Sequence, residues 1–599
     1  MSVSSSLARL VENAAECFGS CTALVGLNGV SNTYAELAAG AQAIGREIRA
    51  KGISRHDRVA VVMPDGVDAA TALVGLSSFC ACAPFNPRHT TSEFENFFRD
   101  HPPKAVIVAG EAGAGARVAA RTMGVPVWDW ASATGSNGGS RLAGSSPYSP
   151  STEGPGQSSD LALTLYTSGT TSRPKLVPLT QGNLLASAQG IARWLRLEPD
   201  DRCLNVMPLF HIHGLVAGLL SSVAAGASVV CTPGFSAGDF FRWVGVFSPT
   251  WYTAVPTMHQ AILAAHAGLN PQARATRLRF VRSSSAPLAP DLMTALESAF
   301  HAPVIEAYGM TEASHQVASN PLPPAPRKAG SVGLPAGSDV VILDETRQPL
   351  PCGSIGEVAI RGAGVTAGYA ANAPANADAF ADGWFRTGDQ GYLDEDGYLV
   401  LTGRIKELIN RGGEKIAPRE IDEALLAHPA VAQAVAFGMP DVSYGEQVAA
   451  AVVLRAGSSA DTYELQRHVA GRLAHFKVPR HIVIVNELPK GPTGKVQRRN
   501  LPEALGLAGR APVRSEDPGA DPDLQQQIAG LWCEVLDRAD VPTDVEFIAV
   551  GGDSLAAGRL ANRLRVQLGV DLSLADVLAA PTVREQAAIC QRARAGRLP

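Results

Sequence analysis

Residues 166–175 read YTSGTTSRPK and follow directly on the apolar run LALTL at 161–165. A short continuous apolar run of this kind predicts a buried strand. The stretch after it packs glycine and hydroxyl side chains together and closes on two cations, Arg173 and Lys175. Small residues let backbone N–H groups approach an anion, and hydroxyls and cations complete its coordination, so the composition is that of a phosphate cradle. The spacing differs from the P-loop, which needs Gly, four residues and then Gly-Lys-Ser/Thr. Here Gly169 is followed by Thr170-Thr171-Ser172-Arg173, and Lys175 by Leu176.

Working outward, 599 residues exceed a single core, and three or more domains are expected. A net charge of -5 supplies no global field for nucleic acid or an anionic membrane, so neither is expected as a partner. No apolar run approaches the length of a bilayer span, and the amphipathic start MSVSSSLARLVENAAE lacks a signal-peptide core; the sequence reads as cytoplasmic. Nine cysteines include the pairs Cys17/Cys21 and Cys80/Cys82, but no second pair stands at metal-finger spacing. They read as free, mostly buried thiols.

The expected fold class is α/β multidomain. From 23 to about 130, β-branched runs (VAVVMP, KAVIVAG, VPVW) alternate with Ala/Leu-rich helical stretches, which predicts βαβ units and a parallel sheet. Residues 131–160 hold almost no large apolar side chain and predict a mobile surface loop. The α/β rhythm resumes at 204–211, 227–233, 278–288 and 302–312, and a Gly-rich, β-rich stretch covers about 330–403. Domain limits are expected at 1–403, a smaller α+β unit at 404–503 with one long helix over 463–476, a linker at 504–521, and a helical bundle at 522–596.

Six stretches bear on chemistry: YTSGTTSRPK, MPLFHIHG (207–214), AYGMTEASH (307–315), GWFRTGDQG (383–391), GRIKELINRGGEKI (403–416) and PKGPTGKVQRR (489–499). Singly, each has a plain structural reading: a turn, a helix cap at Glu312, a turn former at Asp389, a solvated charge at Lys495. As an ordered set over residues 5–503 they closely resemble the adenylate-forming superfamily of acyl-CoA ligases, luciferases and peptide-synthetase adenylation domains. That resemblance implies a large N-terminal region and a small C-terminal lid that rotates between two half-reactions.

The implied chemistry joins two anions, a carboxylate and the α-phosphate of ATP, so charge must be neutralised where they meet. By similarity, Thr167, Ser168, Gly169, Thr170, Thr171 and Lys175 hold the β- and γ-phosphates, and Glu312 binds Mg²⁺. Thr311 touches the α-phosphate, Tyr308 and Gly309 meet the adenine, and Asp389 accepts from the ribose with Arg404 assisting. Lys495 bridges carboxylate and α-phosphate. The lid swings about Lys406, and Gly412 and Gly413 let a pantetheine thiol pass close to the backbone. His211 stands near the acyl carbonyl. Two histidines at i, i+2 (His211, His213) without a third candidate ligand do not make a zinc site.

The C-terminal stretch FIAVGGDSLAAGRLANRLR (547–565) resembles the carrier-protein motif GGDSL, which implies that Ser554 receives 4′-phosphopantetheine from a phosphopantetheinyl transferase. Ser554 opens a predicted helix whose Leu555, Leu560, Leu564 and Leu568 share a face, and an attached phosphodiester lies near free N–H groups at the positive helix end. The alternative is an ordinary N-cap. A chain that carries its own thiol resembles a loading module of a peptide-synthetase-like, secondary-metabolite system, handing its acyl group to a downstream acyl-accepting enzyme.

The stretch MPLFHIHGLVAGLL offers no Asp to pair with an α-ammonium group, which points to a carboxylic acid without one. The local text resembles the oxalate-CoA ligase branch, where residues matching His211, His213, Ser283, Ser284, Ser285 and His315 line a small polar pocket. Such a pocket would leave its polar groups unpaired against an apolar tail, so a short polar or dicarboxylic acid is expected. The alternatives are an acyl-CoA ligase releasing acyl-CoA, an inactive adenylation-like scaffold, and a luciferase-like oxygenase.

Overall fold

The run at 161–165 does form a strand, Leu161–Thr167, in the computed structural model of the chain. The structure describes residues 5–131, 142–167, 174–268, 277–441, 444–489, 496, 498–507, 521–547, 550, 552 and 554–594. The chain divides into two compact units, Met1–Leu401 and Thr402–Pro599.

Among the described residues of the first unit, three sheets carry the α/β rhythm. A seven-stranded sheet runs Leu142–Ala143, Val127–Trp130, Ala105–Val108, Arg58–Val62, Ala81–Pro84, Leu161–Thr167, Lys175–Thr180. Its five central strands pair in parallel, and the two edge strands are antiparallel. The central strands are nearly all buried on both faces, as a parallel sheet under helices demands. A nine-stranded sheet places Thr22–Gly26, Ser228–Cys231, Arg202–Asn205, Trp251–Ala254, Phe280–Ser284 and Val304–Met310 side by side in parallel. Past Val304–Met310 the sheet turns antiparallel through His315–Ser319. A third, five-stranded sheet includes Asp339–Leu343, Gly356–Arg361 and Trp384–Leu393.

Two expectations need correction. Residues 142–160 are not a free loop: Leu142 is buried, the Trp128 indole donates to the Ser145 carbonyl (3.0 Å), Tyr148 to Lys104 (3.2 Å), and the Gly156 amide to Ser78 (2.9 Å). Backbone groups of the domain, rather than apolar side chains of the segment, hold it down, which a composition argument does not see. Residues 132–141 lie outside the described part. The helix expected over 463–476 ends at Ala470, followed by Gly471, and a single 3₁₀ turn His475–Lys477 leads to Pro479. Gly471 disfavours continuation, and Val478, preceding a proline, is extended.

In the second unit, the strands Glu414–Ile416, Ile409–Arg411, Gly445–Leu454 and Val431–Asp441 form one sheet with His481–Ile484, under the helices Pro418–Leu426 and Thr462–Ala470. Pro522–Leu536, Ser554–Leu568, Leu574–Ala579 and Val583–Arg594 form a four-helix bundle about Trp532, Phe547, Leu560 and Leu564. Of the leucines expected on one face, Leu560 and Leu564 are fully buried and Leu568 packs at the rim.

A buried ion pair fixes the end of the α+β part. Arg498 donates from Nη2 to Asp422 Oδ2 and from Nη1 to the Ala436 carbonyl (2.7 Å), while Asp422 Oδ1 accepts the Ala436 amide (2.6 Å). Removing the Asp422 charge leaves the half-buried Arg498 with Glu407, 3.3 Å from its Nε, as its remaining carboxylate. Asp422→Asn is therefore expected to destabilise the second unit by about 1.5–3 kcal/mol, the range of hydrogen bonds to a charged group. Urea unfolding of the isolated 402–599 fragment, or the first transition of the full chain, checks it, and an unshifted transition refutes it.

Candidate functional site

Strands Leu161–Thr167 and Lys175–Thr180 pair antiparallel, with Thr167 directly opposite Lys175 and the Thr167 hydroxyl 3.4 Å from the Lys175 carbonyl. Ser168, Gly169, Thr170 and Thr171 lie outside the described residues; Thr167 and Lys175 bracket them. Lys175 Nζ sits 4.5 Å above the ring of Tyr369, a cation–π contact absent from any motif read in the sequence.

Tyr369 carries the contact onward. Its hydroxyl donates to Glu312 Oε1 (2.9 Å), and the Thr366 amide donates to the Glu312 carbonyl (2.7 Å). The Thr366 hydroxyl in turn donates to the Pro178 carbonyl (2.7 Å), and the Ala370 amide to that of Leu176 (3.0 Å). The segment 366–370 thus staples the cradle strand to the turn Thr311–Ala313 that holds Glu312. A second tie joins the nine-stranded sheet to the third one: the buried Tyr308 hydroxyl donates to Asp389 Oδ2, a carboxylate only 5 % exposed. Lys175, Thr311, Glu312, Tyr308 and Asp389 therefore belong to one connected locus built from three sheets.

Gly309 makes the locus possible. The pairing shifts between Tyr308 and Gly309, and a Cβ at Gly309 would lie 1.8 Å from the His315 carbonyl oxygen. No group of three or more His, Cys, Asp or Glu residues able to hold a metal occurs among the described residues. A single carboxylate such as Glu312 suits a cation that takes its other oxygens from phosphate and water, as Mg²⁺ does.

Beside this locus lies a buried polar cluster. His213 is fully enclosed, with Nδ1 3.0 Å from Ser285 Oγ and Nε2 2.6 Å from Thr253 Oγ1, and its ring stacks on His315 at 4.9 Å. Ser285 (φ 71°) and His315 (φ 103°) both hold left-handed backbone conformations, which side-chain-bearing residues adopt at a cost. Ser283 and Ser284 are buried in the strand Phe280–Ser284. The Ser284 hydroxyl donates to the Ala307 carbonyl (2.8 Å), so its hydrogen is committed to the sheet. His211 is half-buried, two residues beyond Leu209, whose amide is accepted by Asp65 Oδ1 (2.8 Å). Burial pushes the Asp65 carboxyl up to about 6.

The cluster also contains residues that motif matching passed over. Arg282, on the same strand as Ser283, is fully buried, with Nη2 donating to Gln316 Oε1 (3.1 Å) and Nη1 3.5 Å from both His213 Nε2 and Thr253 Oγ1. Burial lowers its pKa to about 10, so it remains a cation at neutral pH. A charge inside a strand expected to be buried was the available signal; nothing in the sequence marked Thr253, Gln316 or Tyr369.

In the second unit Arg404 and Lys406 are exposed, Lys406 within the 3₁₀ turn Ile405–Glu407. Gly412 and Gly413 (φ 61° and 95°) form the two-residue link between Ile409–Arg411 and Glu414–Ile416, a turn that requires positive φ at both positions. Lys495 lies outside the described residues. Its neighbours Val496 and Arg498 are anchored, Val496 against the Val435/Phe437 cluster and Arg498 on Asp422. Ser554 is the first residue of its fifteen-residue helix, and just before it a Cβ at Gly552 would strike the Phe547 ring at 2.3 Å. A helix start suits attachment of a phosphodiester, whose charge its free N–H groups can meet.

The AMP-binding enzyme family matches residues 11–370. The chain belongs to that family. The family's C-terminal domain matches 420–495, and a phosphopantetheine attachment domain matches 526–590. This AMP-binding enzyme is 45% identical over 506 residues to an oxalate–CoA ligase of Arabidopsis thaliana, covering 83% of this chain and 98% of that protein. It is 38% identical over 482 residues to a sulfoacetate–CoA ligase of Cupriavidus necator, covering 79% and 92%. Among solved structures it resembles ATP-bound MatB from Rhodopseudomonas palustris, with a TM-score of 0.74 and 30% identity over 83% of this chain and 98% of that one. The fold is that of the adenylate-forming superfamily with an added carrier domain, and the enzyme is an adenylate-forming acid–thiol ligase. No described helix is long and apolar enough to cross a membrane.

Gly309→Ala is expected to cost about 3 kcal/mol or more, because the obstacle is backbone and cannot rotate away. A fall in the first unit's thermal midpoint, with loss of ATP binding, is the expected result; a variant as stable as wild type would show that the hairpin can open freely.

Proposed function

We propose that this AMP-binding enzyme activates a small carboxylic acid lacking an α-amino group and loads it onto a phosphopantetheine arm on its own Ser554. In the first step a carboxylate oxygen attacks the α-phosphorus of ATP, the bond to the β-phosphate breaks, and pyrophosphate leaves. In the second, the arm's thiol, having lost its proton, attacks the acyl carbon; the carbon–oxygen bond to AMP breaks and a thioester remains.

The roles follow the charges. Thr167, Ser168, Gly169, Thr170, Thr171 and Lys175 cradle the β- and γ-phosphates, and Thr311 donates to the α-phosphate. Bound Mg²⁺, held through Glu312, would neutralise phosphate charge. Tyr308 and Gly309 flank the adenine, and Asp389 and Arg404 hold the ribose. Lys495 supplies the cation between the two reacting anions. Movement about Lys406 exchanges Lys495 for the Gly412–Gly413 turn, and His211 lies near the acyl carbonyl.

The observation that carries transfer within one chain is the fit of the carrier bundle against the lid inside the second unit. Arg411 Nη2 meets Glu546 (2.8 Å), Arg480 Nη1 meets Glu585 (2.8 Å), and Tyr463 donates to Asp576 (2.9 Å). Arg411 directly precedes the Gly412–Gly413 turn, so the carrier docks beside the loop assigned to thiol passage. A phosphopantetheinyl transferase would supply the arm, and a downstream enzyme would take the acyl group.

The acid is short and carries a second polar or acidic group. The polar cluster of His213, Ser285 and His315 offers an apolar tail no apolar surface to pack against, and two relatives bear the names of oxalate and sulfoacetate, both acids with a second acidic group. Those same relatives are named CoA ligases, which favours release of acyl-CoA as the second reading.

Intact-protein mass measurement of the pantetheinylated chain with ATP, acid and CoA separates the two. Loading predicts an acyl adduct that Ser554→Ala abolishes; equal acyl-CoA output from wild type and Ser554→Ala would favour the second reading. Lys495→Ala is expected to slow adenylate formation by about 10²–10³-fold. Thioester formation from supplied acyl-adenylate should stay within a few-fold, and equal loss in both steps would contradict the exchange of Lys495 between them.

A further inference from the structure

Arg282 is a charge that the first unit buries without neutralising. It sits in the interior of the strand Phe280–Ser284, between Thr253 and Ile305 on the neighbouring strands, with no exposed surface. A guanidinium offers five N–H donors. Here one hydrogen bond to Gln316 is well formed (3.1 Å), those to His213 and Thr253 are at the 3.5 Å limit, and Nε has no partner among the described residues. None of the ion pairs among the described residues includes Arg282. The half-buried Arg498, by contrast, is matched by a carboxylate, that of Asp422. An uncompensated buried cation is strongly unfavourable in a folded protein, and its presence is understandable where an anion arrives from outside.

The surroundings say where that anion would sit. His213 separates Arg282 from Ser285, touching both, and stacks on His315. The residues next to Arg282 on its strand, Ser283 and Ser284, lead to Ser285, and His315 pairs with Met310 two positions after Tyr308. The cation therefore lies behind the polar pocket assigned to the acid, on the side away from the hydroxyl of Ser285. Gln316 is held in place by its own donation to the Ala336 carbonyl (3.0 Å), so Arg282 cannot readily swing away.

We infer that Arg282 is a positioning residue for substrate charge: from behind His213 it makes the pocket select acids whose far end is a second anion, a carboxylate or sulfonate, over neutral-tailed acids of the same size. Its field acts through the low-dielectric interior, where a charge is felt over several ångströms, and it stands 3.5 Å from the His213 ring, which in turn meets the half-buried Ser285 at the pocket wall. This rests on the adenylation reading above and adds the determinant of selectivity.

The test compares a short diacid with its half-amide, a neutral-tailed isostere, as substrates for pyrophosphate release by wild type, Arg282→Met and Arg282→Lys. Wild type should prefer the diacid by at least about 30-fold in kcat/KM, of the order expected for a buried charge partner. Arg282→Met should erase most of that preference while changing kcat/KM for the half-amide by only a few-fold, and Arg282→Lys should restore part of it. An equal loss for both acids marks Arg282 as merely structural and overturns the inference. If neither variant folds, the wild-type ratio decides: a ratio near one overturns it. Absence of pyrophosphate release with every acid would instead remove the adenylation reading itself.

Discussion

Two tyrosine-to-carboxylate hydrogen bonds hold the first unit's site together. Tyr308 to Asp389 joins the nine-stranded sheet to the third sheet, and Tyr369 to Glu312 joins the cradle side to the turn after Tyr308. They fix the carboxylate side chains of Glu312 and Asp389, while the Thr366 and Ala370 hydrogen bonds fix the backbone around Glu312 and Lys175. Aligning two anionic reactants demands that the groups receiving them be set before they arrive. The ties also explain why both tyrosines are largely buried although their hydroxyls are polar: each hydroxyl has a charged acceptor.

The acid pocket shows the same logic with the sign reversed. Around the nucleotide locus, carboxylates accept from tyrosines; around His213, a guanidinium remains short of acceptors. Left-handed Ser285 and His315 line the latter, and strain of this kind persists only where the surroundings impose it. On the proposed reading, one unit would carry a site for ATP phosphates and, next to it, one for an anionic acid.

Much of this was legible in the sequence. The βαβ rhythm, the strand at LALTL, the smaller α+β part and the helical bundle all appear where hydrophobic period and turn residues put them, because burial dictates those patterns locally. The six ordered stretches led to the family that the comparisons established. What stayed hidden was cross-chain geometry. Tyr369 is an ordinary tyrosine until Lys175 and Glu312 are folded against it, and Leu142–Ser158 has little apolar bulk yet is held by hydrogen bonds with residues distant in sequence, such as Arg49, Ser78 and Trp128. Gly412 and Gly413, read as room for a thiol, are also dictated by a turn needing positive φ. Arg282 hid in plain view because the text RSSS drew notice to its serines.

The central claim is that the tyrosine ties assemble a working adenylation site. ATP–pyrophosphate exchange by wild type and by the folded double variant Tyr308→Phe/Tyr369→Phe tests it most directly. The account predicts acid-dependent exchange in wild type and a fall of about tenfold or more in the variant, as two lost hydrogen bonds to charged acceptors imply. Exchange that never depends on an added acid, or a double variant that exchanges as fast as wild type, would contradict it.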